Sequence, residues 1–231
     1  MVASERRKPG PSPRFTREEL AGLALAIMDA HGSAALTVRR LAQEAGMATT
    51  ALYNYFPSKD DLLDAAIDAA AGEVQLPEPS AQAWKEQLTS VAQAWFQAGL
   101  RHPGVARLRF DRPLQSNRAL RVTDWAIAVL CAAGLSKPEA VAAFKALTVL
   151  TLGSAAAAVA ESRPQERQQA AARHASVAAT ELPAMAAVAA ELTAALGGDQ
   201  AFELGLAALL DGIDQRIAAA RRSSQDRPRR A

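Results

Sequence analysis

A short stretch of this sequence concentrates side chains that can contact nucleic acid. Hydroxyl and amide groups can hydrogen-bond to base edges, and their small size lets a helix backbone approach DNA, while cations pair with phosphates. The candidates are short polar side chains, phenols and flanking cations: Thr37, Thr49, Thr50, Asn54, Tyr53, Tyr55, Arg39, Arg40 and Lys59. Each of them alone is equally compatible with capping, core packing or a solvated surface. The prediction therefore depends on their combination.

The elements that would position these side chains begin with a short helix that ends at a glycine. Val38, Leu41, Ala42 and Ala45 recur at spacings of three and four residues, which gives this segment one apolar face. Gly46 then ends it.

A second short helix is predicted over about residues 49–56. Leu52 and Phe56 lie four residues apart on its buried side, and Thr50 and Asn54 point the opposite way. A helix of about eight residues is marginal alone in water, so packing against its neighbours must hold it. Two short helices of this kind, joined by a tight turn, form a helix-turn-helix recognition unit.

The stretch LTVRRLAQEAGMATTALYNYFPSKDDLLDAAID resembles the DNA-binding half of the TetR family of bacterial transcriptional repressors, most of all in ALYNYFPSKDDLL. The resemblance implies DNA contacts from the second helix, the third helix and the start of the fourth: Thr37 and Arg39; Thr49, Thr50, Tyr53, Asn54 and Tyr55; and Lys59. Ala48 is a departure, because many members carry a serine there that caps the recognition helix. We expect Thr49 to provide this cap instead, which moves the start of the helix by one residue.

The composition favours an all-helical protein. Half of the 231 residues are hydrophobic, aromatic residues are few, and β-branched residues form no alternating runs. This length allows one large domain or two modest ones.

Charge is unevenly distributed along the chain, whose net charge is +2. Residues 1–59 hold eight Lys and Arg against five Asp and Glu, and residues 221–231 hold five against one. The middle of the chain holds thirteen against eighteen and is acidic. Basic ends around an acidic middle indicate that only part of the molecule faces phosphates.

Prolines and charged residues divide the chain into four predicted parts. Residues 1–14 form a disordered basic arm, which either contacts DNA or only aids solubility. Residues 15–76 form the helix-turn-helix domain, and the segment Leu76-Pro77-Glu78-Pro79 cannot continue a helix. Residues 80–220 form a larger helical domain, and residues 221–231 a disordered basic tail.

Capping and proline patterns predict the remaining helices. Thr16 with Glu19 and Ser136 with Glu139 have the spacing of capping boxes, and Ser80 can cap a further helix. The predicted helices cover residues 16–31, 59–74, 80–101, 103–110, 112–133, 137–161, 183–196 and 199–220, with a loop over 162–182.

The C-terminal part resembles the effector-binding and dimerisation domain of tetracycline-repressor-like members of the same family, in the segments LRHPGVARL, AIAVLCAAGLS, LTLG and AFELGLAALLDGI. The resemblance implies a homodimer through the helices at about 137–161 and 199–220. Both helices carry strips of small residues that would let helix axes approach closely, either across this interface or inside one subunit.

The resemblance also indicates where an effector would bind. Members that sense tetracycline with magnesium use histidines and a carboxylate, and the corresponding residues here are Leu108, Val149 and Ala157. None of these side chains can bind Mg²⁺, so we expect a small organic effector without magnesium and no metal or cofactor. The predicted effector pocket is mainly apolar, although core packing accounts for most of its residues equally well: Trp95, Leu108, Asp111, Trp125, Phe144 and Val149.

Together these features predict a ligand-responsive homodimeric repressor that binds a pseudopalindromic operator and is released by a small molecule. A DNA-binding or activating protein without an inducer is the alternative. An enzyme is not expected, because His31, His102 and His174 are scattered and no phosphate-binding loop is present.

The sequence also predicts a cytoplasmic protein. Cys131 is the only cysteine, the N-terminal residues are polar, and no stretch of about 18 uninterrupted apolar residues predicts a membrane span.

Overall fold

The computed structural model describes residues 15–111 and 116–225, and these residues form helices without a strand, which confirms the all-α prediction. The predicted arm and residues 226–231 of the predicted tail lie outside the described residues. The helices are α1 (Arg17–His31), α2 (Val38–Glu44), α3 (Thr49–Leu52), α4 (Lys59–Ala71), α5 (Trp84–Arg101), α6 (Pro103–Asp111), α7 (Asn117–Ala133), α8 (Lys137–Ser162), α9 (Pro164–Ala175), α10 (Pro183–Ala187), α11 (Ala189–Ala194) and α12 (Gln200–Gln225), with a 3₁₀ turn at Ser33–Ala35.

The first four helices share a core whose larger side chains are fully buried. Leu20, Leu41, Leu52, Phe56 and Leu62 all have no exposed surface, and burying each one stabilises the fold by about 1.5–3 kcal/mol. The predicted capping box at the start of α1 is confirmed by reciprocal hydrogen bonds between residues 16 and 19. A second capping box fixes the start of α4.

Helix α6 joins this N-terminal core although it follows α5 in the chain. Val105 and Leu108 are buried in the same cluster as the side chains of α1 to α4. The N-terminal core is therefore completed by a helix from the predicted C-terminal domain.

The second core is formed by α5, α7, α8 and α12. Phe96 of α5 and Phe202 of α12 stack with their ring centroids 4.3 Å apart. A Cβ at Gly99 would lie 2.7 Å from the Ala155 Cβ, so only glycine allows α5 and α8 to approach this closely. Lys85 and Asp211 also join α5 to α12 through a salt bridge of 2.5 Å.

Several predicted boundaries were wrong. The segment predicted as a loop contains α9, which begins with Pro164 at its first turn, as proline favours. No residue of α9 is buried, so it has no apolar stripe by which the sequence could reveal it. Helix α12 continues to Gln225 rather than ending near Ala220, so residues 221–225 belong to a helix and not to the predicted tail.

The starts of α5 and α7 also differ from those predicted. Helix α5 begins at Trp84 because the Ser80 hydroxyl accepts the N–H of Ala83, in the turn before the helix. Helix α7 begins at Asn117 with Ser116 as its cap. Residues 112–115, where its start was predicted, lie outside the described residues.

Candidate DNA-binding surface and effector cavity

The helix-turn-helix is built from α2, a turn at Gly46 and α3. Gly46 has φ of 60°, a left-handed conformation that glycine adopts without the cost of a Cβ. Helix α3 is shorter than predicted, because after Leu52 the chain tightens into bonds such as Tyr55 N–H to Leu52 C=O at 2.9 Å. Phe56 nevertheless remains fully buried, as the spacing predicted.

The cap of α3 also differs from the prediction. The helix begins at Thr49 with Ala48 in the capping position, and no side chain caps it. Thr49 therefore does not replace the missing serine.

Most of the predicted DNA-contacting side chains are exposed. Tyr53 is 50% exposed although it stands beside two fully buried neighbours, Leu52 and Phe56. The exposed members are Thr37, Arg39, Thr50, Tyr53, Asn54 and Lys59, and the half-buried members are Arg40 and Thr49. We call this set the recognition surface.

Tyr55 lies apart from the recognition surface. Its side chain packs against the N-terminal core, and its hydroxyl donates to the Phe15 carbonyl at 3.0 Å. Arg17 donates to the Tyr55 carbonyl at 3.4 Å, and its guanidinium lies 5.0 Å from the centre of the Phe56 ring. Tyr55 thus fastens the start of α1 to the end of the recognition segment. The sequence did not reveal Arg17, because 38 residues separate these two partners.

A mainly apolar cavity lies among α5, α7 and α8, with a volume of about 80 Å³. Its wall contains aliphatic, aromatic and threonine side chains and no charged residue among those described: Leu88, Val91, Ala92, Trp95, Ala119, Val122, Thr123, Trp125, Ala126, Phe144, Leu147, Thr148, Thr151 and Leu152. We call it the effector cavity.

The structure brings half of the predicted effector-binding residues together. Trp95, Trp125 and Phe144 line the effector cavity. Leu108 instead packs in the N-terminal core with 9% of its surface exposed, and Val149 is 61% exposed. The side chain of Asp111 lies outside what the structure describes.

Further cavity residues on α8, which the sequence did not indicate, follow a helical period. Leu147 and Thr148 share one face of α8 with Thr151 and Leu152, which follow them one helical turn later. Val149 lies on a different face, so one step along the sequence separates a cavity residue from an exposed one.

His102, between α5 and α6, links the two halves of the molecule. Its Nδ1 lies 2.7 Å from a carboxylate oxygen of Asp29 in α1, and its Nε2 lies 3.0 Å from one of Glu73, just beyond α4. Arg101 donates to the other Glu73 oxygen at 2.7 Å. These hydrogen bonds connect α1 and the end of α4 to the junction of α5 and α6.

A second link joins α4 to α7. The backbone N–H of Arg118 donates to the Asp68 carboxylate at 3.1 Å, and its guanidinium donates to the Asp68 carbonyl at 3.3 Å. A Cβ at Gly72 would overlap this guanidinium, so glycine at this position allows Arg118 to lie across α4. One residue later, α7 begins to line the effector cavity with Ala119.

The first of these links makes stability depend on pH. The Arg101 hydrogen bond, reinforced by His102, holds the pKa of Glu73 below its ordinary value of 4.5. A lowered carboxyl pKa stabilises the fold above that ordinary value, and this contribution is lost as the pH falls through the lowered pKa. Because Glu73 is 39% exposed, solvent screening keeps the effect small.

We therefore expect Glu73→Gln to lower the free energy of unfolding by about 0.5 kcal/mol near neutral pH. Urea unfolding at about pH 7 and about pH 3 would show the difference from wild type narrowing in acid, because the contribution of the carboxylate is lost as the pH falls from its ordinary pKa towards the lowered one. Glu166→Gln, an exposed position on α9, is the control. A difference of equal size at both pH values would contradict the assignment.

The chain belongs to the TetR family of bacterial regulators. Residues 22–66 match the family model described as bacterial regulatory proteins, tetR family, and residues 76–217 match the tetracyclin repressor-like C-terminal domain. The resemblance noted in the sequence is thereby confirmed, as is the expectation that the chain is not an enzyme, because the matched proteins are transcriptional regulators.

Individual relatives agree with this assignment. The class A tetracycline repressor of Escherichia coli is 32% identical over 84% of this chain and 88% of its own length. An HTH-type transcriptional regulator of Saccharopolyspora erythraea is 33% identical over 63% of this chain, and the alignment covers 61% of that relative. The crystal structure of ActR from Streptomyces coelicolor with (S)-DNPA has a TM-score of 0.75 and 28% identity, covering 89% of this chain and all of ActR. ActR has also been solved with actinorhodin.

Proposed function

We propose that this protein is a homodimeric transcriptional repressor in the cytoplasm that binds a pseudopalindromic operator and is released by a small organic effector. The observation that carries the proposal is the recognition surface, where Tyr53, Asn54 and Lys59 stand exposed on a segment whose opposite side is fully buried. Exposed hydroxyls, an amide and cations on a rigid support are the groups that read and hold a major groove.

The two cores correspond to two functional domains in this proposal. We assign residues 15–76 to DNA binding and residues 80–220 to effector binding and dimerisation. The separate buried clusters support this division, although Val105 and Leu108 of α6 enter the N-terminal core. Helix α6 would therefore transmit movement of the second domain to the first.

The size of the effector cavity supports release by a ligand. Its volume of about 80 Å³ is smaller than the roughly 300–1,000 Å³ of typical ligand sites. An organic effector must therefore widen the cavity and displace α5, α7 or α8. The Arg118–Asp68 link would carry such a displacement from α7 to α4. A ligand that binds the widened state more tightly than the closed state shifts the equilibrium towards the widened state, by the difference between its two binding free energies.

The dimer would form through an exposed apolar face of α8 and α12. Val149 and Leu204 are 61% and 74% exposed. An open groove of about 330 Å³ runs between the two helices, lined mainly by small and apolar residues, with Glu139 and Arg216 also in its wall. Helix α8 is long and apolar enough to cross a membrane, and only 28% of its most apolar stretch is buried inside the chain. A second subunit would cover the rest, since the regulators of this family act on DNA.

Selection of bound sequences from random DNA, followed by mobility-shift titration, tests the proposal. We expect enrichment of a site with two inverted half-sites, one helical turn of about 34 Å or a multiple of it apart. Tyr53→Ala and Lys59→Ala should each weaken binding about tenfold without unfolding the protein. Lys59→Ala should also reduce the salt dependence of binding, because it removes a contact to phosphate.

Arg167→Ala provides a matched control, since Arg167 is an exposed cation on α9, far along the chain from the recognition surface. Its operator affinity should equal that of wild type. Undiminished binding by both Tyr53→Ala and Lys59→Ala, or enrichment of no sequence at all, would refute DNA recognition by this surface.

A further inference from the structure

The polar groups in the wall of the effector cavity differ in whether they have partners. The indole N–H of Trp125 donates to the Pro77 carbonyl at 2.6 Å. The hydroxyls of Thr123 and Thr148 donate to carbonyls one turn earlier in their own helices, at 3.1 and 2.9 Å. Trp95 Nε1, by contrast, is buried without a hydrogen-bond partner.

An unpartnered donor of this kind requires an explanation. Buried N–H groups in native proteins are almost always paired, because an unmade hydrogen bond in a low-dielectric interior is unfavourable. Trp95 lies in the cavity wall, where a ligand could supply the missing acceptor. The hydroxyls of Thr123 and Thr148 have already used their protons and can only accept from a ligand, so among the described residues of the wall the donors that remain for a ligand are Trp95 Nε1 and the Thr151 hydroxyl.

The rest of the wall restricts the ligand further. No described residue that lines the cavity carries a charge, so a charged ligand would be buried without a counter-ion, which is strongly unfavourable. Trp95, Trp125 and Phe144 approach the cavity from three different helices. Aromatic rings pack well against the faces and edges of other aromatic rings.

We propose that the effector is an uncharged fused-ring aromatic compound whose carbonyl oxygen accepts a hydrogen bond from Trp95 Nε1. This inference rests on the proposed function, because it specifies the ligand class of the same cavity. Trp95 is then the residue that distinguishes an oxygenated ring system from a hydrocarbon of the same shape.

Fluorenone and fluorene make a suitable probe pair, because they share a three-ring shape and only fluorenone has a carbonyl. Binding to the full chain is measured by equilibrium dialysis without DNA. Fluorene is the more apolar compound and would bind better to an apolar cavity that offers no hydrogen-bond donor. We expect the opposite order, with fluorenone bound at least about fivefold more tightly, as one buried hydrogen bond allows. Fluorenone carboxylate should bind at least about tenfold more weakly than fluorenone, because its charge has no partner.

Two variants test the assigned donor. Trp95→Phe removes the N–H and keeps an aromatic ring, so the preference for fluorenone over fluorene should fall to one or below. Trp125→Phe is the matched control: it makes the same change in the same wall, but its N–H is already bonded to Pro77. The preference should survive that substitution even if both probes bind less well.

An NMR measurement on the wild-type protein avoids any dependence on the folding of these variants. The indole N–H resonance of Trp95 should move downfield with fluorenone and not with fluorene. A preference that persists in Trp95→Phe, tight binding of the carboxylate, or binding of neither neutral probe would overturn the inference. Because DNA is absent, such a result would leave the repressor proposal standing, and that proposal fails only by the operator measurements.

Discussion

Replacing Val149 and Leu204 together by glutamate should convert the proposed dimer into monomers. The two side chains are the most exposed large apolar groups on α8 and α12. They continue helical rows with the small residues Ala146 of α8 and Ala208 of α12, which line the open groove between the helices. A twofold interface would then bury four carboxylates, and their desolvation would be more unfavourable than the remaining apolar contacts are favourable.

Loss of the dimer should reduce operator affinity by about 10²–10⁴, because each half-site would then bind independently. Sedimentation equilibrium gives the subunit number, and mobility-shift titration gives the affinity. Leu182→Glu is the control, since it places the same charge at a residue that is 53% exposed but lies outside α8 and α12. A wild-type protein that is monomeric, or a double variant that remains dimeric, would exclude this interface.

The sequence predicted the helix-turn-helix well because its determinants are local. Leu52 and Phe56 needed to lie only four residues apart to define the buried side of the recognition segment, and both are fully buried. The capping box of Thr16 with Glu19 is equally local, and it was confirmed. The spacing of residues was enough to predict those features that depend on a few neighbours in the sequence.

Features that depend on distant partners could not be predicted. Tyr55 has the same phenol as Tyr53, but its hydroxyl is occupied by a carbonyl 40 residues earlier in the chain. Val149 was predicted to line the pocket, yet its neighbour Thr148 does so. Only the packing of α8 between α5, α7 and α12 determines which of its faces meets the cavity. Leu108 illustrates the same limit, because no local pattern shows that α6 enters the N-terminal core.

The Arg118–Asp68 link suggests how cavity and recognition surface communicate. Arg118 precedes Ala119, which lines the cavity. Its backbone N–H donates to the carboxylate of Asp68 in α4, the helix that follows the recognition segment. Widening the cavity would pull on this link and thereby turn α4. The coupling free energy in such systems is typically about 1–3 kcal/mol, or roughly 5–150-fold in affinity.

Breaking the Arg118–Asp68 link should therefore leave the affinities for operator and for effector unchanged. It should abolish the coupling by which effector binding weakens operator binding. We expect Asp68→Ala, which removes the acceptor of the Arg118 backbone N–H, and Arg118→Ala, which removes the guanidinium donor, each to weaken effector-induced operator release. The double variant should reduce that release from the roughly 5–150-fold range to a few-fold at most. Operator release is followed by mobility shift with an organic compound that releases wild type in a screen, and ligand binding is measured separately by dialysis. Arg121→Ala, an exposed arginine one turn further along α7, should respond like wild type.

Gly72→Ala tests the same link without changing any charge, because the added Cβ must displace the Arg118 guanidinium from α4. If α4 is driven through this contact, Gly72→Ala should resemble Arg118→Ala, and combining them should add little, since both remove one interaction. Full effector response in the Asp68→Ala/Arg118→Ala double variant and in Gly72→Ala would show that α7 does not drive α4 through this contact. Movement would then have to pass through the junction of α5 and α6, where His102 bonds to Asp29 and Glu73 and where Val105 and Leu108 pack in the N-terminal core.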